Sequence, residues 1–260
     1  MQASVLSIAA FDPSAAAGVA ADLKTFQAFS THGAAVITAL TAQNSTGLQE
    51  VQPVSAEFVG QQLEAVLSDF TFGAVKIGLL YTTRVIRLLA DMLDRDPQPN
   101  VVLDPILRSS SGADLLDRKA VAEMRRHLFP LVHVITPSLA EAAVLAGIEV
   151  HDVAGMKEAA RRIHALGPRA VVVKGGHLPA RAIDVAYDGQ RTTLYDGTRV
   201  KTVEARGLGC AFSSAIAAQL ARGIKLERAI DTAKRYVVRA LQQAVRIGRG
   251  RAHLDHSARV

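Results

Sequence analysis

Short apolar runs rich in β-branched residues alternate along this chain with longer segments whose apolar positions recur at spacings of three and four. Residues 5–10 form the first such run, and 16–29 predict a helix ending near Gly33. A strand over 34–40 follows, then a helix over 55–68 with Ser55 placed to cap it. Residues 73–77, 101–104, 132–136 and 170–174 are compact runs suited to buried parallel strands. Helical patterns over 83–93, 118–128, 138–146 and 153–166 separate them. After Lys174 the pattern changes: 183–187 and 190–195 flank Asp188-Gly189, a hairpin signal, and two long helices close the chain. This alternation predicts an α/β fold of three layers, with a mostly parallel, doubly wound sheet and a late antiparallel hairpin. The chain shows no internal repeat, low-complexity tract or linker, so residues 1–260 read as a single domain.

Composition narrows the class. With 49% hydrophobic and 21% charged residues, the chain reads as globular. No apolar run is long enough to span a bilayer, and Met1 to Ala10 lacks the basic start and extended apolar stretch of a signal peptide, so a cytoplasmic protein without a membrane partner is expected. One cysteine excludes an internal disulfide framework and a cysteine-rich zinc site. The net charge of +6 suits anionic small molecules or nucleic acid. Its basic residues gather late, from Arg222 to Arg251, but Leu226, Ile230, Ala233, Val237 and Leu241 recur at helical spacing, which makes those charges the wet face of a core helix. Aromatic residues are 5%, with no tryptophan to stack bases, so nucleic acid is not an expected partner.

The candidate chemistry falls at the carboxyl ends of the predicted strands, where ligands sit in doubly wound folds. Asp12-Pro13-Ser14, Thr41-Ala42-Gln43-Asn44, Asp104-Pro105, Thr136-Pro137-Ser138 and Lys174-Gly175-Gly176-His177 all lie there. Arg206-Gly207-Leu208-Gly209-Cys210 follows a strand-like segment and opens a long helix, where converging N–H groups make an anion cradle. Each residue also has an ordinary reading. Cys210 could be a small buried apolar residue, Lys174 a strand-end side chain reaching water, Glu141 a first-turn acid, Asp104 a turn cap, and Asp22 a solvent-facing helix residue.

Taken in order, these segments, together with Ala21-Asp22-Leu23-Lys24, 36–44, Lys76-Ile77-Gly78 and 207–214, resemble the hydroxymethylpyrimidine and phosphomethylpyrimidine kinases of thiamine synthesis, within the ribokinase-like superfamily. The resemblance implies phosphoryl transfer from ATP, with Mg²⁺, to 4-amino-5-hydroxymethyl-2-methylpyrimidine and its monophosphate, by a homodimer. It places Gly207, Gly209 and Cys210 at the anion hole, with Cys210 activating the acceptor hydroxyl as a thiolate whose pKa the helix N-terminus lowers. Lys174 faces phosphate, and Glu141 and Asp104 attend Mg²⁺. Asp22 and Gln43 read the pyrimidine, while Ala17, Gly18, Leu79 and Ile106 supply apolar walls. His177 belongs to the lysine motif, and His253 and His256 lie in a tail that echoes the family's histidine-rich ending.

The chain also departs from the family's pattern. Leu208 and Ala211 stand where G-T-G-C-T carries threonines, and Arg206 stands where a histidine is common, offering a guanidinium to phosphate. Ala15, Ala16 and Phe11 replace residues of a glycine-rich acceptor loop, with Phe11 bringing bulk toward the acceptor pocket, and Ser138 replaces an asparagine. Three readings follow: a working pyrimidine kinase, a pyrimidine- or nucleotide-binding relative with degraded catalysis, and a kinase for another heterocyclic alcohol such as pyridoxine.

Overall fold

The computed structural model describes residues 2–109, 112, 114–176, 178, 181–197, 199–200 and 204–258. The chain runs β1 (Ser4–Phe11), α1 (Gly18–Ala28), β2 (His32–Asn44), β3 (Gly47–Pro53), α2 (Ala56–Leu67), β4 (Ala74–Ile77), α3 (Thr83–Arg95), β5 (Val101–Leu103) and α4 (Arg118–Glu123). It continues through β6 (Val134–Ile135), α5 (Leu139–Ala146), α6 (Val153–His164), β7 (Ala170–Val173), β8 (Asp184–Tyr187) and β9 (Thr192–Tyr195). β10 (Ala205–Arg206), α7 (Leu208–Ala221), α8 (Leu226–Gln242) and β11 (Ala252–His253) complete it.

Among the described residues, nine strands form one sheet in the order β3-β2-β1-β4-β5-β6-β7-β8-β9. β2, β1, β4, β5, β6 and β7 run parallel, and β8 and β9 form the expected late antiparallel hairpin. Strands such as Ala74–Ile77 and Ala170–Val173 are buried along their whole length because helices cover both faces. Val59, Leu63, Ile86, Leu89 and Ile163 pack α2, α3 and α6 on one face. Phe26, Ile216, Ile230 and Tyr236 pack α1, α7 and α8 on the other. The result is the three-layer α/β architecture that the alternation predicts.

One hairpin was not expected. The strand predicted over 34–40 extends as β2 to Asn44 and returns antiparallel as β3. Asn44 Oδ1 accepts from the Thr46 N–H at 2.9 Å and closes the turn. The polar run 41–44 is therefore strand, not loop: an edge hairpin buries little, so polar residues are tolerated along it. Helix α1 begins at Gly18 rather than Ala16, because the backbone at Ala17 is extended (φ −145°, ψ −173°), and the Asp12 carboxylate takes the Ala17 N–H at 3.1 Å. No helix of the described residues is long and apolar enough to cross a membrane.

β1 has β2 on one side and β4 on the other, so the chain reverses direction across the sheet there. A crevice opens at such a point beyond the carboxyl ends of the strands, and α7 enters it N-terminus first.

Candidate active site

Gly207 joins β10 to α7 with φ +83°, and a Cβ on it would stand 1.9 Å from the Ala16 carbonyl oxygen. Only glycine fits, and the turn presses the start of α7 against the loop after β1. Gly209 lies in the first turn of α7, where a Cβ would be 3.1 Å from Lys174 Nζ and 3.4 Å from Asp104 Oδ2. The structure thus brings together the α7 N-terminus, Lys174 from the end of β7 and Asp104 from the end of β5. Lys174 Nζ donates to Asp104 Oδ1 at 2.6 Å. Burial alone would lower the Lys174 pKa, but the Asp104 and Glu141 carboxylates outweigh it and raise it.

Glu141 is near enough to Lys174 and Asp104 for both charges to act on it, and burial pushes its pKa up. It also serves the helix: its Oε2 accepts from the Ser138 N–H at 2.7 Å, completing a capping box at the start of α5. Ser138 therefore caps the helix in place of the family's asparagine. Among the described residues, no three His, Cys, Asp or Glu side chains gather into a metal cage. Two carboxylates flanking one lysine suit Mg²⁺ carried in by a nucleotide, because Mg²⁺ takes one or two carboxylates and completes its shell with water and phosphate.

Cys210 follows Gly209 and is buried. The Gly18 N–H, at the start of α1, is directed at its sulfur. The helix N-terminus was expected to lower the thiol pKa, and the structure reverses this: burial raises it to about 11 against the opposing pull of Lys76. At neutral pH burial therefore favours the protonated thiol.

The loop after β1 is organised by Asp12, a residue whose role the motif Asp12-Pro13-Ser14 does not reveal by itself. Its Oδ1 accepts from the Ser14 N–H at 2.9 Å and the Ser14 hydroxyl at 2.7 Å. Its Oδ2 accepts from Ala17 N–H and from Gln43 Nε2 at 2.9 Å. Gln43 is thereby fixed by its amide nitrogen, which leaves Oε1 as its acceptor for an amino group. Arg206 was expected to reach phosphate, but its guanidinium turns to the other side: Nη1 donates to the Asn44 carbonyl and Nη2 lies 3.6 Å from Asp12 Oδ2. Two acceptors within reach of a buried guanidinium decide its direction. Gly18 has φ +61°, and a Cβ there would lie 2.1 Å from the Ala10 carbonyl oxygen. Ala15 adopts φ +54°, the left-handed conformation its glycine counterpart would take without strain. Phe11 is partly exposed, beside Leu40 in the β1–β2 register, rather than packed into the crevice. Ala17 and Ile106 are half-buried, while Leu79 is buried, its carbonyl held by Thr38 Oγ1 at 2.6 Å. Leu208 is partly buried against the core that α1, α7 and α8 share.

Asp22 was expected at the pyrimidine edge. It is fully buried, with Lys76 Nζ at 2.8 and 2.9 Å, the Ser7 hydroxyl at 2.6 Å and the Ser214 hydroxyl at 2.8 Å. Both oxygens are saturated, so the carboxylate presents nothing to a ligand in this structure. A signal for this cluster existed, since Lys76 interrupts the apolar strand Ala74–Ile77 and a lysine there requires a charge partner. His177 lies outside the described residues. His256 lies away from the crevice, with Nδ1 2.9 Å from the Tyr236 hydroxyl.

A family model of phosphomethylpyrimidine kinase matches residues 12–255. The chain is 44% identical over 260 residues to the hydroxymethylpyrimidine/phosphomethylpyrimidine kinase of Rhizobium meliloti, covering 98% of this chain and 97% of the relative. It is 41% identical over 254 residues to a thiamine biosynthesis bifunctional protein of Geobacter sulfurreducens, covering 97% of this chain but 52% of that longer protein. The structure matches that of Bacillus subtilis pyridoxal kinase in complex with ADP, with a TM-score of 0.92 and 34% identity over 99% of this chain and 98% of the other. The chain belongs to the phosphomethylpyrimidine kinase family.

Proposed function

We propose that this member of the phosphomethylpyrimidine kinase family transfers the γ-phosphoryl group of ATP to the hydroxymethyl oxygen of 4-amino-5-hydroxymethyl-2-methylpyrimidine, and then a second one to the monophosphate, in thiamine diphosphate synthesis. The observation that carries this reading is the meeting of Lys174, Asp104 and the first turn of α7 beside Cys210, with the Asp12–Gln43 pair across the turn. The α7 N–H groups and Lys174 take the nucleotide phosphates. Gln43 Oε1 takes the amino group of the pyrimidine, and Ala17, Gly18, Leu79 and Ile106 bound its ring. Asp104 and Glu141 would hold Mg²⁺, which when bound neutralises phosphate charge.

In the transfer, the acceptor oxygen bonds to the γ-phosphorus, the bond to the β,γ-bridging oxygen breaks, and ADP leaves. The hydroxyl proton passes to the Cys210 sulfur in its thiolate form. Phosphoryl transfer through a loose transition state depends mainly on positioning and charge, so a base with a small ionised fraction suffices. The backbone anion hole tolerates Leu208 and Ala211, because neither substitution removes an N–H. We also propose a homodimer, with exposed Phe11 and Leu40 beside the edge hairpin as the surface that meets a second copy.

A second reading, phosphorylation of a pyridine alcohol, draws on the likeness to a pyridoxal kinase. The test is ADP release from Mg-ATP with the pyrimidine, with pyridoxal or with neither, beside calorimetric binding of each. Pyrimidine-dependent ADP release supports the proposal, and pyridoxal-dependent release alone replaces it with the second reading. Tight pyrimidine binding with no ADP release would identify a binding protein that has lost its chemistry.

A further inference from the structure

Lys234 belongs to the basic run that closes the chain, yet it is buried rather than on the wet face of α8. Its Nζ donates to Asp184 Oδ2 and to the Ala182 carbonyl, each at 2.7 Å. Asp184 opens β8, which runs antiparallel to β7 with Val185 opposite Val173. Val185 packs into the core on the α6 side, so strand alternation turns Asp184 to the other face, toward α8. Its second oxygen, Oδ1, accepts from the Gly175 N–H at 2.8 Å. Gly175 follows Lys174, whose Nζ is bound to Asp104 beside the start of α7. A Cβ on Gly175 would stand 1.8 Å from the Ile183 carbonyl oxygen, whereas one on Gly176 would meet nothing within 4 Å. The turn after β7 is thus gripped on its inner side by residues 183–184 and open on its outer side. A buried ion pair adds little stability over a well-packed apolar pair, so stability does not account for Asp184 and Lys234. The oxygen that they present to Gly175 does.

Resting on the reading of Lys174 as the group that faces the nucleotide phosphates, we propose that Asp184 is a positioning residue for the nucleotide side of this site. Held by Lys234, it fixes the Gly175 N–H and so sets the turn that carries Lys174 before any nucleotide arrives. The acceptor side draws instead on Asp12 and Gln43, from the end of β1 and from β2. Loss of the oxygen at Gly175 therefore separates the two ligands, which a general loss of stability would not do.

Two double variants of the full-length protein isolate that oxygen. D184N/K234M keeps an acceptor for Gly175 and D184L/K234M does not. Neither leaves a charge in the pair, and both lose the Ala182 contact alike. Calorimetry follows binding of ADP with Mg²⁺ and, separately, of the hydroxymethylpyrimidine. D184L/K234M is expected to bind ADP about fivefold to tenfold more weakly than D184N/K234M, the worth of one fixed hydrogen bond, with pyrimidine affinity equal within about twofold. Equal ADP affinity in the two variants, or an equal loss for both ligands, overturns the proposal. A second measurement uses the wild-type protein and needs no variant to fold. Lys174-Gly175 is the one Lys-Gly peptide in the chain, so ¹³C-carbonyl lysine with ¹⁵N-glycine picks out the Gly175 amide by NMR. Its hydrogen exchange is expected to be slow without ADP as well as with it. Fast exchange in the absence of ADP overturns the proposal, because the turn is then not set in advance. ADP binding needs no turnover, so the expected split in a protein that transfers no phosphoryl group would keep this inference and discard the kinase reading. Turnover with equal affinities would do the reverse, and a wild-type protein that binds no ADP would end both.

Discussion

Gly207 and the Ala16 carbonyl are in backbone contact, so close that a methyl group on Gly207 would stand 1.9 Å from the oxygen. Through this contact the loop after β1 and the turn into α7 hold each other in place. Gly207→Ala, at φ +83°, is expected to cost about 2–4 kcal/mol of stability from clash and left-handed strain together. Urea unfolding checks this, and an unchanged midpoint would show that the two segments separate without cost.

Asp12 holds Gln43 at 2.9 Å, so its loss should act on the acceptor. Asp12→Ala is expected to raise the acceptor KM about tenfold or more while the nucleotide KM stays within about twofold, as one fixed hydrogen-bonding side chain is worth about 1–2 kcal/mol. Steady-state kinetics with each substrate varied separates the two. An equal rise in both constants would place Asp12 in general loop stability instead.

Cys210→Ala removes the proposed proton acceptor but no N–H at the start of α7. The expected kcat loss is about 10²–10⁴-fold, the range for a general base, with calorimetric nucleotide affinity unchanged. Turnover at the wild-type rate would take the sulfur out of the mechanism.

Ala15 occupies φ +54° at a position suited to glycine. Ala15→Gly is expected to stabilise the protein by up to about 1 kcal/mol, because relief of strain exceeds the added freedom of the unfolded chain. A lowered thermal midpoint would mean that this loop relaxes around alanine at no cost.

His256 is held neutral. Burial, helped by Lys24, lowers its pKa from 6.5 to about 4, and Nδ1 lies near the Tyr236 and Thr25 hydroxyls. The unfolded chain binds a proton near pH 6.5 that the folded chain refuses until about pH 4. Its contribution is therefore complete above about 6.5 and is lost as pH falls through that window, about 2 kcal/mol after allowing for partial exposure. Urea midpoints at pH 7 and 4.5 should fall further apart in wild type than in His256→Gln. Equal differences would exclude His256 as the source.

Much of the site's outline is legible in the chain. Lysine at the end of an apolar strand, glycines opening a long helix and acids at strand ends mark the crevice before any fold is known. The physical argument that drew attention to Lys174 applies with equal force to Lys76 inside Ala74–Ile77, yet the sequence does not say which acid answers it. Asp22 is 54 residues away on a helix that also presents half-buried and exposed residues, and its periodicity fits a wet face as well as a buried one. The β2–β3 hairpin escaped for a related reason: its polar alternation resembles a loop until pairing supplies the hydrogen bonds.

By itself the sequence determined the layers, the parallel strands and the motifs at their ends, because hydrophobic period and turn chemistry are local properties carried by neighbouring residues. Tertiary structure alone decided the charge state and direction of the side chains. The buried thiol of Cys210, the saturation of Asp22 and the turn of Arg206 toward Asp12 each depend on which distant groups share a low-dielectric space. Desolvation and pairing act through space, and residue spacing along the chain does not encode them.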